Sequence, residues 1–233
     1  LQPLHWTPGQ PLPLQELQTT LGVGGSAPRA AVLLVEQRAM APEAWRVVTT
    51  SVVNERERQR AQRFRRPEDQ QRHLLGRAAL RLLLGAWLDR DPAALRFHYG
   101  RHGKPLLEGW AGGGPHFNLA HSGDLILLAL HPSRPVGVDV ERQRPDLDWR
   151  PIAARILPPH ELEILEALAP VLQPQGFLRA WCRLEARLKA SGEGLAGLER
   201  LRRAPMQTAA RPELWDVAVP MGYGAAVALA PPA

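Results

Sequence analysis

The segment Val136-Gly137-Val138-Asp139-Val140-Glu141 alternates with a strict period of two. In an extended strand that period sends the three valines to one face and Gly137, Asp139 and Glu141 to the other. Two carboxylates on one face, about 7 Å apart, repel unless a cation or arginines come between them. An oxygen-rich pair of this kind suits Mg²⁺, which takes one or two carboxylates together with substrate phosphates. Equally, Glu141 can open a solvated loop and pair with Arg142 or Arg144, since exposed acids are common. Further along, Phe177, Trp181, Leu184 and Leu188 recur at offsets 0, 4, 7 and 11, the apolar stripe of a helix. Glu185 and Lys189 lie four apart beside that stripe and can reach a cleft at its margin. The plainer account is a helix-surface pair worth a few tenths of a kcal/mol. Cys182, the one cysteine, reads as a packing residue and excludes an internal disulfide or a cysteine metal cage.

Two shorter motifs precede these. Gly103-Lys104-Pro105 is a turn that presents a lysine beside a glycine able to bring backbone close to a ligand. Phe117-Asn118-Leu119-Ala120-His121-Ser122 runs off a strand into a turn and leaves His121 at the strand end. A histidine there is either a satisfied structural residue or a phosphate ligand. His121, Ser122 and Asp124 are near in sequence, but consecutive residues do not make a Ser-His-Asp triad, which argues against a serine hydrolase.

The elements that must hold these residues can be read in outline. Residues 1–28 contain five prolines and a Gly-Gly-Ser stretch, an extended surface arm. Ala31–Glu36 is a short buried strand. Helical pattern begins near Ser51, with Ser51 and Asn54 as cap candidates, and a second helix starts at Pro67 and runs to about Leu88. Leu95–His98, His116–Leu119, Leu125–Leu130 and Val136–Val140 read as strands, and Ser122-Gly123 as a turn. Helices are expected at Trp149–Ile156, Pro159–Ala167 and Pro174–Ala190, and closing strands at Leu214–Val219 and Gly224–Leu229. Strands grouped apart from helices predict an α+β fold of two similar lobes, antiparallel sheets packed with helices. The expected partition is an arm at 1–28, an N-terminal lobe at 29–115 and a C-terminal lobe at 116–233.

Composition narrows the function classes. The chain has 233 residues, 45% of them hydrophobic, enough to bury a sizeable core. Its longest aliphatic runs are six residues, too short to cross a bilayer, and no cationic, apolar leader opens it. These features predict a cytoplasmic protein. The net charge is +6, and only Lys104 and Lys189 of the 29 basic residues are lysines. A basic field favours anionic partners such as a phosphorylated ligand, an acidic protein or nucleic acid. Nucleic acid is disfavoured by the 13 aromatics and the lack of a basic tail or nucleic-acid motif.

Taken in order, Gly103-Lys104-Pro105, Phe117-Asn118-x-x-His121-Ser122, Val136-Gly137-Val138-Asp139-x-Glu141 and Trp181-x-x-x-Glu185-x-x-x-Lys189 resemble the 4′-phosphopantetheinyl transferase superfamily. The resemblance is to its larger, pseudo-dimeric type, which serves peptide and polyketide synthases. It runs from about Glu55 to Leu195 and takes in Phe64-Arg65-Arg66 and Leu74-Leu75-Gly76-Arg77. Both lysines fall on motif positions.

The resemblance implies transfer of phosphopantetheine from coenzyme A to a serine of an acidic acyl or peptidyl carrier protein, with Mg²⁺, releasing adenosine 3′,5′-bisphosphate. It implies that Asp139, Glu141 and Glu185 hold the metal on the coenzyme A pyrophosphate. Glu185 would act as base toward the carrier serine, directly or through water, and Lys189 would neutralise the leaving oxygen. Arg60, Arg77, Lys104, Pro105, Asn118 and His121 would bind coenzyme A. The site would lie in a cleft between the lobes, so a monomer would suffice. Two positions depart from the family pattern: Leu184 where lysine is usual, with Arg183 beside it, and Ala120 where serine is usual. They leave open a degenerate carrier-binding homologue, and the same three acids would also serve a metal-dependent phosphoesterase or coenzyme A hydrolase.

Overall fold

The computed structural model describes every residue except 8–9, 24, 26, 40–41, 101–102, 111–113, 195, 204–212 and 233. The first half contains β1 (Leu4–His5), α1 (Leu14–Thr20), β2 (Ala31–Glu36), α2 (Pro42–Val52), α3 (Glu55–Ala61), α4 (Pro67–Leu88), β3 (Phe97–Tyr99) and β4 (Pro105–Leu107). Then come β5 (His116–Ser122), β6 (Leu125–His131), β7 (Val136–Arg142), α5 (Arg150–Ile156), α6 (Pro159–Glu166), α7 (Gln173–Ser191), α8 (Ala196–Arg203), β8 (Glu213–Asp216) and β9 (Tyr223–Leu229). The class is α+β, and β1–β2 is the one parallel pair among the described strands. Strand order is β1-β2-β6-β5 in one sheet and β7-β9-β8 in another, with β3-β4 a small ribbon.

Burial patterns explain the layering. Every residue of β6 is buried, so this strand works on both faces. Ile126, Leu128 and Leu130 meet Leu75, Leu80 and Leu83 of α4 in one core. Leu125 and Leu127 join Val136, Val138 and Val140 of β7 and Val227 of β9 in a second core, between the two sheets. On the far face of β7–β9–β8 lies α7, seated through the small residues Cys182, Ala186 and Ala190 against Ala226 and Ala228. The result is four layers: α4, sheet, sheet, α7. No helix among the described residues is long and apolar enough to cross a membrane.

Several expectations change. The expected C-terminal lobe opens at residue 116, and its first two strands, β5 and β6, ladder onto β2 of the first half, from Ala31 opposite Leu130 to Glu36 opposite Leu125. Two apolar strands buried on both faces pair best with each other, and composition alone does not show which half owns them. Ser51 caps nothing, because it lies in the last turn of α2, a helix the sequence reading missed. Asn54 is the cap: its Oδ1 accepts the Glu57 N–H at 3.0 Å, and Glu57 Oε2 accepts the Asn54 N–H at 3.1 Å. The Pro-rich arm is packed down, with Trp6 and Leu17 buried in the first core and Leu4–His5 paired to β2.

Glu57 also fastens α3 to α4. Its carboxylate accepts from Arg77 Nε at 2.7 Å and Arg81 Nε at 2.8 Å, all three side chains being buried. Arg81 goes on to the carbonyls of Pro92 and Leu95, and both guanidiniums lie over the Phe97 ring.

Candidate active site

The alternation read in β7 holds in three dimensions, since its valines fill the core between the sheets. Its other face is turned to α7. An added Cβ at Gly137 would stand 2.1 Å from Ala186 O and 2.3 Å from Ala190 N, so helix backbone rests directly on the strand at this glycine. That approach brings Lys189 Nζ to 2.6 Å from Asp139 Oδ1. The second oxygen, Asp139 Oδ2, is buried and has no hydrogen-bond partner. Glu141, two residues on, accepts a 2.7 Å hydrogen bond from Ser122 Oγ at the end of β5.

Electrostatics tie the three acids together. Burial pushes the Glu141 carboxyl up, and the Asp139 charge adds to this against the pull of the Ser122 hydrogen bond. Burial likewise raises Glu185; Lys189 opposes it, while Asp139 and Glu141 reinforce it. Mutual repulsion is what the strand-face reading requires of carboxylates brought near one another without a cation. Among the described residues, no group of three or more His, Cys, Asp and Glu side chains is already gathered into a metal-holding arrangement. Asp139 is turned to Lys189 and Glu141 to Ser122.

A cleft of about 460 Å³ opens beside this pair, lined by Lys104, Pro105, Asn118, Leu119, Glu185 and Lys189 together with Gly103, Leu188, Gly192 and Gly194. Five residues named from sequence therefore share one cavity. Asn118 is committed within it, since its Oδ1 accepts the Val138 N–H at 2.8 Å. Lys104 donates to two backbone carbonyls, Val136 O at 2.9 Å and Lys189 O at 2.8 Å.

The remaining basic residues form a second group on α3, α4 and β5. Its centre is His73, whose Nε2 is buried without a partner and whose ring lies 5.2 Å from that of Phe64. Burial, with the charges of Arg77, His121 and Arg60, brings the His73 pKa down to about 4. His121 is lowered by burial and then by Arg72 and Lys189. Arg72 Nε and Arg77 Nη2 are also buried and unpartnered. Arg77, expected at the ligand, gives its Nε to Glu57 and keeps Nη2 without a partner, while Arg72 gives Nη1 to Asp69 at 2.9 Å and its charge acts on His121. Arg60 lies over the Tyr99 ring at 5.0 Å. The sequence reading missed Arg72 and His73. His73 sits on α4 one turn before Arg77, on the same helix face, which is a usable signal. Arg72 is five residues before Arg77, about 140° round the helix, and no spacing singles it out.

Both departures from the family pattern are core residues. Leu184 is 2% exposed in a cluster with Trp149 and Phe177, and Ala120 is buried between the sheets. Arg183 does not substitute for the usual lysine, because it pairs with Asp216 at 2.7 Å.

Comparison with known proteins agrees with this anatomy. A model of the 4′-phosphopantetheinyl transferase superfamily matches residues 135–215, and one of the N-terminal part of 4′-phosphopantetheinyl transferases matches residues 40–133. The 4′-phosphopantetheinyl transferase HetI of Nostoc sp. is 41% identical over 143 residues, covering 61% of this chain and 60% of HetI. The 4′-phosphopantetheinyl transferase Sfp of Bacillus subtilis is 31% identical over 147 residues, 63% of each chain. The 4′-phosphopantetheinyl transferase AcpT of Salmonella typhimurium is 42% identical over 94 residues, covering 40% of this chain and 48% of AcpT. Alignment thus spans less than two thirds of these relatives' own lengths. With two family models fitted end to end along a two-layered pair of sheets, the chain belongs to the 4′-phosphopantetheinyl transferase superfamily, in its larger type.

Proposed function

We propose that this protein transfers the 4′-phosphopantetheine arm of coenzyme A to a serine of an acyl or peptidyl carrier protein. The observation that carries the reading is Asp139: one oxygen is bound by Lys189, which lines the cleft together with Glu185, and the other is buried and unsatisfied. A buried carboxylate oxygen without a partner is costly, and a cation seated there would relieve it together with the repulsion that raises Glu141 and Glu185. Asp139, Glu141 and Glu185 offer only hard oxygen donors, which suits Mg²⁺. They would hold it, and when bound it would neutralise charge on the coenzyme A pyrophosphate.

The chain's own residues account for the rest. The serine oxygen forms a bond to the phosphorus bearing the pantetheine arm as the pyrophosphate P–O bond breaks, and adenosine 3′,5′-bisphosphate leaves. Glu185 takes the serine proton, its carboxylate lining the cleft that the serine must enter. Lys189 offers its ammonium to the departing oxygen, a group already oriented by Asp139. Arg60, Arg72, His73 and His121 bind the phosphate of the adenosine end, with the unpartnered Arg72 Nε and His73 Nε2 turned to it. The basic field of the chain assists docking of an acidic carrier.

The test is intact-mass spectrometry of an apo carrier protein incubated with this protein, coenzyme A and Mg²⁺. A gain of about 340 Da, one phosphopantetheine arm, that vanishes with EDTA supports the reading. Asp139→Asn and Glu185→Gln should abolish the gain and leave the fold intact, and near-normal turnover in either would remove the assignment of the acids. Coenzyme A cleaved without any gain on carriers of several classes would favour a phosphoesterase instead.

A further inference from the structure

Lys104 follows Gly103 in the turn that leads into β4, and the two carbonyls it binds belong to separate elements. Val136 O opens β7, the strand of Asp139 and Glu141. Lys189 O belongs to the last turn of α7, the helix of Glu185 and Lys189. Carbonyls in the last turn of a helix lack partners within the helix and carry the negative end of its dipole. Gly192 ends α7 in the left-handed conformation and supplies one N–H back to Leu188 O, which leaves Lys189 O to be satisfied from outside. An ammonium meets that need and is favoured by the field.

The edge of β7 turned to β5 shows the same device repeated. Lys104 takes Val136 O, Asn118 takes the Val138 N–H, and Ser122 Oγ accepts the Arg142 N–H at 3.1 Å. Side chains, not a backbone ladder, stitch the two sheets along this seam. Asn118 and Ser122 reach β7 alone; Lys104 also reaches α7.

We propose that Lys104 is a positioning residue that locks the last turn of α7 against the start of β7, and so holds Lys189 on Asp139 with Glu185 at the cleft. Its kinetic consequences rest on the transferase reading above; the lock itself does not. A lysine serving mainly as a phosphate ligand would be built otherwise. Two of the three ammonium protons are spent on carbonyls, and burial with the neighbouring Lys189 charge brings its pKa down to about 8.

Lys104→Met keeps the buried stem and deletes both donors. Turnover should fall roughly ten- to hundredfold, the scale of a misplacement near 1 Å. The KM for coenzyme A and the Kd for adenosine 3′,5′-bisphosphate should stay within about twofold, since binding groups are untouched. Amide hydrogen exchange at residues 189–192 should accelerate about tenfold or more. Lys104→Arg, which keeps donors in place, should retain more turnover than the methionine variant, and it carries the same comparison if the methionine variant does not fold. Weakened adenosine 3′,5′-bisphosphate binding with unchanged exchange at 189–192 would overturn the lock and make Lys104 a phosphate ligand. Unchanged turnover and exchange would overturn it too. Exchange needs no substrate, so a wild-type chain that transfers nothing would refute the transferase reading while the exchange result still decides the lock.

Discussion

Gly137→Ala tests whether the catalytic geometry depends on helix backbone lying on strand backbone. The added methyl would meet Ala186 O at 2.1 Å and Ala190 N at 2.3 Å, and neither is the tip of a flexible side chain. To reach even 3.0 Å, the shortest separation such carbons tolerate, α7 must retreat by about 1 Å. Two effects oppose. Alanine is intrinsically better than glycine in an extended strand by roughly 0.5–1 kcal/mol, and Gly137 has no positive φ to forbid it. Overpacking against rigid backbone costs about 1–3 kcal/mol. The net expectation is a loss of about 1–2 kcal/mol, or roughly 2–8 °C in Tm for a chain of this size. The retreat also carries Lys189 away from Asp139, whose 2.6 Å contact has no slack, and a shift near 1 Å lowers rates about a hundredfold. Scanning calorimetry reads the first effect and carrier mass spectrometry the second. A Gly137→Ala protein with wild-type Tm and turnover would refute the close approach as the source of the geometry.

Three further outcomes are expected. Burial alone would raise the Glu57 pKa, but Arg77 and Arg81 outweigh it and hold the carboxyl below the ordinary 4.5, so its stabilisation is whole above that pH and drains as pH falls through the lowered value. Glu57→Gln should therefore cost about 3–5 kcal/mol in urea unfolding at pH 7, with the gap to wild type narrowing below pH 4.5; a gap that does not narrow refutes the assignment. Leu184→Lys, which restores the family's usual residue, should destabilise by about 3 kcal/mol or more instead of activating, because the ammonium has no water at that site; an unchanged urea midpoint would contradict it. A phosphate docked among His73, His121 and Arg72 would raise both lowered histidines, so adenosine 3′,5′-bisphosphate should take up protons on binding between pH 4 and 6.5. Calorimetric enthalpies that do not vary with buffer ionisation would rule that out.

The period-two alternation of 136–141 and the helical stripe of 177–188 determine which faces Asp139, Glu141, Glu185 and Lys189 occupy, and both were legible because each period has one geometric meaning. Motif order then brought Lys104 and Asn118 to the cleft of Glu185 and Lys189, and His121 to the basic group beside α4. What escaped the sequence is pairing. Whether β6 joins β2 or β7 depends on which apolar face meets which, and Leu125–His131 is apolar on both. Which nitrogens of Arg77 and Arg72 are left for a ligand depends on the carboxylates that claim the others: Glu57, twenty residues from Arg77 in sequence, and Asp69, three from Arg72. Lys104 is the clearest instance. The family resemblance implies a coenzyme A ligand there, and the long-range contacts to Val136 and Lys189 add two backbone carbonyls that its ammonium binds. Charge at a ligand site and charge at a helix end obey the same electrostatics, so residue type cannot separate them; the contact partner does.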